Sequence, residues 1–164
     1  MAVIAFQRLS QLVTDFVMGA SATITPPGGG WEMGLATNNV GSGANMARNS
    51  VWSATVSGSN INEIGSTTAA GYARQAITRS IGAGGWGASS FDNTFSTGGQ
   101  STTASQVTFG AFSGAPSPNG ANSWVLSDGT SLNAGNPYFA GDTAATRTFA
   151  NGDTEKVTAT LKAG

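Results

Sequence analysis

The sequence predicts a mainly β protein: a single antiparallel β-sandwich of jelly-roll or Ig-like type, with one N-terminal amphipathic helix and long Gly/Ser-rich loops. Three observations predict it. Short segments alternate apolar and polar residues at a period of two, as in Trp31–Thr37, Gln106–Phe112 and Glu155–Leu161. Turn signals recur between such segments, at Pro26-Pro27-Gly28, Pro116–Gly120, Asp128-Gly129 and Asn151-Gly152. No helix-length pattern separates the strands, which argues against a parallel α/β sheet. The composition implies a thin core. Gly, Ala, Ser and Thr supply 88 of the 164 residues. Leu, Ile, Val and Phe supply 29, about 18%, below the roughly 20% of a good core former. With only 9% charged residues and a net charge of −1, the chain lacks the high charge that marks disorder.

The elements follow in order. Phe6, Leu9, Val13 and Phe16 recur at spacings of three, four and three, and Val3, Leu12 and Val17 widen that stripe, so Met1–Gly19 reads as a helix. Gly19 suits its C-terminal cap. The helix either packs on its own domain or is an arm that docks on a neighbouring subunit. Arg8 and Asp15 interrupt its apolar run, and no apolar stretch of 18 residues exists, so neither an export signal nor a membrane span is expected. Residues 20–164 form the domain. Trp31, Met33 and Leu35 share one face of a strand, Val51–Val56 is short extended chain, and Tyr72–Ser80 is a strand. Val107, Phe109 and Ala111 share a face, with Gly110 at a bulge. Trp124–Ser127 ends at a turn dipeptide, Pro137–Ala140 and Arg147–Phe149 are short apolar pieces, and Val157, Ala159 and Leu161 alternate inward. The expected core is Trp31, Leu35, Val107, Phe109, Val157 and Leu161. Residues 38–61 and 82–105, dense in glycine and small polar residues, are expected to be loop excursions.

The residue types exclude much chemistry. The chain has no cysteine and no histidine, so disulfides, thiol catalysis and the commonest general base and zinc ligand are unavailable. Seven scattered basic residues make no electrostatic footprint for nucleic acid. The carboxylates mostly sit beside Gly or Asn, where side-chain-to-backbone bonds in turns explain them. Lys156 and Lys162 face solvent by alternation, and no phosphate loop, EF-hand or dinucleotide fingerprint occurs. An enzyme is therefore not expected, nor is a catalytic residue, a metal or a cofactor. Two features bear on binding. Arg74, in Tyr72-Ala73-Arg74-Gln75, either pairs in forked geometry with Glu63, Asp128 or Asp142, or faces solvent. Trp86, Phe91, Phe95 and Trp52 stand in glycine-rich surroundings, where an aromatic folds back on the domain, anchors an interface or stacks on a sugar. The interface candidates are thus Phe6, Leu9, Val13, Phe16, Arg74, Trp86, Phe91 and Phe95.

The order of motifs resembles a family of small virion proteins of tailed bacteriophages, the tail-fibre-like and capsid decoration (cement) proteins. The resemblance starts with the amphipathic opening helix and a Gly/Pro break, and is carried on by Trp31-Glu32-Met33-Gly34-Leu35-Ala36-Thr37, by Asn62-Glu63-Ile64 ahead of Gly71-Tyr72-Ala73-Arg74-Gln75-Ala76-Ile77-Thr78, and by Val107-Thr108-Phe109. It continues through Trp124-Val125-Leu126-Ser127-Asp128, Gly135-Asn136-Pro137-Tyr138-Phe139-Ala140-Gly141 and Arg147-Thr148-Phe149-Ala150-Asn151-Gly152-Asp153-Thr154. Residues 38–61 and 82–105 are longer than the family's usual connections. The resemblance implies a β-sandwich with a non-enzymatic structural role on the head or the tail; the first reading is a homo-oligomer, a trimer, that binds the major capsid protein on the capsid exterior after assembly in the host cytoplasm. A chain free of cysteine suits that reducing compartment. The alternatives are a tail or fibre component that contacts tail proteins during host attachment, and a carbohydrate-binding module that takes a host glycan on its loop aromatics.

Overall fold

The structure, a computed structural model, describes residues 3–5, 11, 13–15, 17–19, 30–40, 46, 49–53, 60–78, 80–88, 90–91 and 100–163. It is mainly β. The strands are β1 (Val3–Ala5), β2 (Trp31–Ala36), β3 (Val51–Trp52), β4 (Asn60–Ile61), β5 (Gln75–Ile77), β6 (Ser90–Phe91) and β7 (Gln100–Thr103), then β8 (Val107–Gly110), β9 (Ala121–Ser127), β10 (Pro137–Arg147), β11 (Thr154–Val157) and β12 (Thr160–Ala163). They divide among several open sheets. The largest has the order β1-β10-β9-β2-β5; the others pair β11 with β8, β12 with β7 and β6, and β3 with β4. All pairs are antiparallel except β3 with β4.

The five-stranded sheet is buried on both faces at its central strand, β9. Register places Leu35 opposite Trp124 and Met33 opposite Leu126, and these four lie in a core with Ile77, Phe109, Phe112, Trp86, Ala104, Phe149, Val157 and Ala159. Two ring stacks tie this core together: Phe112 on Phe149, with centroids 4.4 Å apart, and Tyr72 on Phe109, 5.9 Å apart. Opposite Val125 stand Gly34 on β2 and Ala140 on β10. Val125 and Ala140 form a second core with Ala36, Val40, Met46, Trp52 and Ile61. A central strand covered on both sides carries apolar residues on both sides, which is why Trp124-Val125-Leu126 is a continuous apolar run. Gly141 faces Trp124, and a Cβ there would collide with the indole.

Several expectations are corrected. The helix predicted from Met1 begins instead as β1, in which Val3, Ile4 and Ala5 pair with Gly141, Ala140 and Phe139 of β10. Helical backbone is found at Gln11, Val13–Asp15 and Val17. A three-residue strand takes its hydrogen bonds from β10, and that non-local gain overrides the helical period of the apolar residues. The apolar piece at 137–140 is the first part of a longer strand, β10, which runs on to Arg147 with register shifts after Pro137 and after Asp142, while Thr148 and Phe149 of the second piece lie beyond its end. Glu155–Leu161 is two strands that leave for different partners, β11 on β8 and β12 on β7. The strand expected over Tyr72–Ser80 is reduced to β5. Residues 82–105 are not simply loop: they contain β6 and β7, and Trp86 bridges both Ile81 and Ala104. Residues 38–61 likewise contain β3 and β4. Of the expected core, Leu35, Phe109 and Val157 are buried, while Trp31, Val107 and Leu161 pack partly buried against it.

Candidate functional site

The described chain concentrates its buried charge at one place, between the end of β2, the segment after β4, and the loop that joins β9 to β10. Asn62–Ile64 zips onto the end of β2: the Thr37 amide donates to Asn62 O at 2.9 Å and the Ile64 amide to Leu35 O at 3.0 Å. Glu63, which bridges Ala36, is thereby carried into the interior with no exposed surface. Arg74 arrives from the chain just before β5. Its Nε donates to Glu63 Oε1 at 2.7 Å and its Nη2 to Glu63 Oε2 at 2.7 Å, a two-point fork that matches the carboxylate plane. Its Nη1 donates to Ser127 Oγ at 3.0 Å, Gly129 O at 2.5 Å and Ala134 O at 2.8 Å. The guanidinium carbon lies 4.2 Å from the centre of the Trp52 ring, close enough for cation–π attraction.

Glu63 is satisfied from two further directions. The Tyr72 hydroxyl donates to Oε1 at 2.9 Å and accepts from the Leu35 amide at 2.8 Å. The Asn133 amide donates to Oε2 at 2.8 Å, from a residue held in the left-handed region at φ 57°. Gly34 makes room for the cluster: a Cβ on it would stand 3.0 Å from Glu63 Oε1, 3.0 Å from Trp52 Cη2 and 3.3 Å from the Tyr72 hydroxyl. Burial, reinforced by the Glu63 charge, holds the Tyr72 hydroxyl well above its ordinary ionisation range. Glu32, nearby on β2, is also pushed up by burial, partly offset by the Arg74 charge.

The loop after β9 is closed from its other end by Asp128. Its Oδ1 accepts from the Asn136 amide at 2.6 Å, and its Oδ2 from Asn136 Nδ2 at 2.8 Å and the Tyr138 hydroxyl at 3.2 Å. The backbones of Gly129 and Gly135 pass so closely that neither position has room for a Cβ. Arg74 therefore holds both shoulders of this loop through two of its carbonyls, and Glu63 holds its middle through one amide. Chemically the cluster is a staple. Its carboxylate and guanidinium neutralise one another and are enclosed, so neither is presented to a substrate.

A groove of about 390 Å³ opens elsewhere, between the second half of β10 and β11. Trp124 forms its base, and Arg147 Nε and Glu155 Oε2 meet across it at 3.4 Å. Asp142, at one end, accepts the Val40 amide at 2.6 Å.

The eight interface candidates are scattered. Phe6, Leu9, Phe16 and Phe95 lie outside the described residues, and Phe91 is described only as backbone in β6. Val13 is exposed. Arg74 and Trp86 are buried in the chain by itself. Of the three carboxylates proposed as partners of Arg74, Glu63 is the one it pairs with. Sequence reasoning missed Tyr72, Ser127, Asn133 and Gly34. One signal for them was available: in a chain with so few charges, a lone Glu and a lone Arg set among apolar residues ask for a polar cage. No protein-family model, characterised protein or solved structure matches this chain. Among the described residues no helix is long and apolar enough to cross a membrane.

Proposed function

We propose that the chain is a structural virion protein of a tailed bacteriophage, a decoration protein that docks as a homotrimer on the major capsid protein outside the head and stabilises the shell. In this reading the five-stranded sheet and the strands facing its Phe109 side act as the two layers of a sandwich. The observation that carries the proposal is the segment after β1. There Val13, Val17 and Met18 are exposed, Val17 and Met18 to 72% and 76%, three of the five large apolar side chains exposed among the described residues, the others being Val51 and Ile81. Large apolar side chains grouped in water mark a surface that another protein covers. The motif order described above supports the phage assignment. The enclosed Glu63–Arg74 staple supports a structural role, because the chain invests its buried charge in fixing a loop.

A ligand that binds the assembled shell and not its free subunits stabilises the shell by mass action, and many weak contacts repeated per oligomer add up through avidity. The test compares particles with and without the protein. Decoration predicts hundreds of copies per particle, and earlier heat disruption when the protein is absent. Few copies, full heat resistance and lost adsorption to cells would establish the tail or fibre role instead.

A further inference from the structure

We infer that β1 is an exchangeable strand, which in the assembled protein pairs with β10 of a neighbouring copy; the inference rests on the homo-oligomer of the proposed function. Three observations carry it. First, β1 covers only Phe139–Gly141, three of the eleven residues of β10. A contact so small and so local in register is reproduced without loss when the same strand comes from an identical chain.

Second, the connection is far longer than its own fold requires. In the sheet order β1 and β2 are separated by β10 and β9, three strand spacings or about 14 Å. Residues 6–30 join them, 25 residues, and with the helical backbone at Gln11, Val13–Asp15 and Val17 their greatest reach is still roughly 65 Å. A connection of that length reaches the edge of β10 on a neighbouring copy as readily as on its own sheet, and an oligomer offers that second edge at high local concentration. Third, this connection bears Val13, Val17 and Met18, which the single chain leaves in water. Crossing to a second copy supplies the surface that covers them. The partner is therefore a second copy of this chain, and the site is the outer edge of β10.

The register makes the inference testable with thiols. The chain has no cysteine, and Ile4 stands directly opposite Ala140. Directly opposed residues of an antiparallel pair have Cα atoms about 4.5–5.5 Å apart, within disulfide range. Chains carrying Ile4→Cys and chains carrying Ala140→Cys are mixed in denaturant, refolded together and oxidised. Exchange predicts that about half of the protein moves on a non-reducing gel to twice the chain mass, since neighbours of the two kinds meet at random in a closed oligomer, with mass spectrometry finding the 4–140 peptide pair. The double variant Ile4→Cys/Ala140→Cys is expected to form linked multimers as well. A double variant that closes only within one chain, with no 4–140 link in the mixture, overturns the exchange; so does the absence of any 4–140 link. Ala140 is buried, so if that variant does not fold, Ala5→Cys with the half-buried Phe139→Cys carries the same test. Failure here is distinct from failure of the decoration reading. A chain linked only to itself that still raises particle heat resistance ends the exchange alone, and linked copies that leave particles unprotected end the decoration reading alone.

Discussion

Arg74 grips Glu63 at two points, Nε to Oε1 and Nη2 to Oε2, each at 2.7 Å, with the two side chains 1% and 0% exposed. A buried ion pair contributes little net stability compared with well-packed apolar residues, because both ions lose their hydration. What this pair supplies is position. Glu63 is tied to the end of β2, Arg74 to the start of β5, and together they hold Ser127, Gly129, Asn133 and Ala134. Three segments distant in sequence are thereby set in one arrangement.

Breaking the pair from one side leaves the other charge buried alone. Arg74→Ala and Glu63→Ala are each expected to destabilise by about 3–5 kcal/mol, read from urea unfolding midpoints. The double variant should lose clearly less than the sum of the two. A strictly additive result would show that the two groups do not interact. Arg74→Lys should behave much like Arg74→Ala, because an ammonium cannot reproduce the fork.

Gly34→Ala tests the space the cluster occupies. The new methyl would press on Glu63, Trp52 and Tyr72 at 3.0–3.3 Å, so a loss of about 1–3 kcal/mol is expected. An unchanged melting temperature would mean that the carboxylate can shift aside freely.

Phe109 stacks on Tyr72 and is fully buried. Phe109→Ala should cost about 3–5 kcal/mol, which in a core this thin is enough to prevent folding. Soluble protein with a normal melting temperature would count against the assigned strand face.

Tyr72 gives the protein an alkaline limit. Its hydroxyl ionises well above the ordinary value of 10.0 in the folded chain and near that value in the unfolded one. The unfolded state therefore loses its proton first. The stability linked to this group is complete below about pH 10 and declines as pH rises beyond it. Tyr72→Phe should lower stability at neutral pH by about 1–3 kcal/mol, since it leaves the Leu35 amide without its acceptor and Glu63 without one of its donors. It should also flatten the decline above pH 10. Equal alkaline slopes for the two proteins would contradict this.

Glu32 acts with the opposite sense for a carboxyl. Burial raises its folded value above the usual 4.5, so its ionised form is disfavoured in the folded state. The penalty is present above the raised value and disappears as pH falls through it toward the ordinary one. Glu32→Gln is expected to raise the melting temperature at pH 7 and to leave it unchanged near pH 3. A gain that persists at pH 3 would point to packing and not to charge.

Local pattern was enough to make this chain a β protein and to locate β2, β8 and β9, because alternating or continuous apolar runs bounded by turn residues have few other ways to bury themselves. The sparseness of charge was enough to single out Arg74 and three possible partners. The choice among Glu63, Asp128 and Asp142 lay beyond the sequence, since each stands in a different segment and only chain packing decides which one arrives. The same holds for β1, whose apolar residues also fit a helix, and for β7, whose Gln, Ser and Thr residues show no apolar period at all. These strands exist through hydrogen bonds donated by partners far along the chain, Phe139–Gly141 for the first and Thr160–Ala163 for the second. A local period reports which side of a segment is buried; which segment lies beside it is fixed by the tertiary structure, where backbone hydrogen bonding and shared burial are satisfied together.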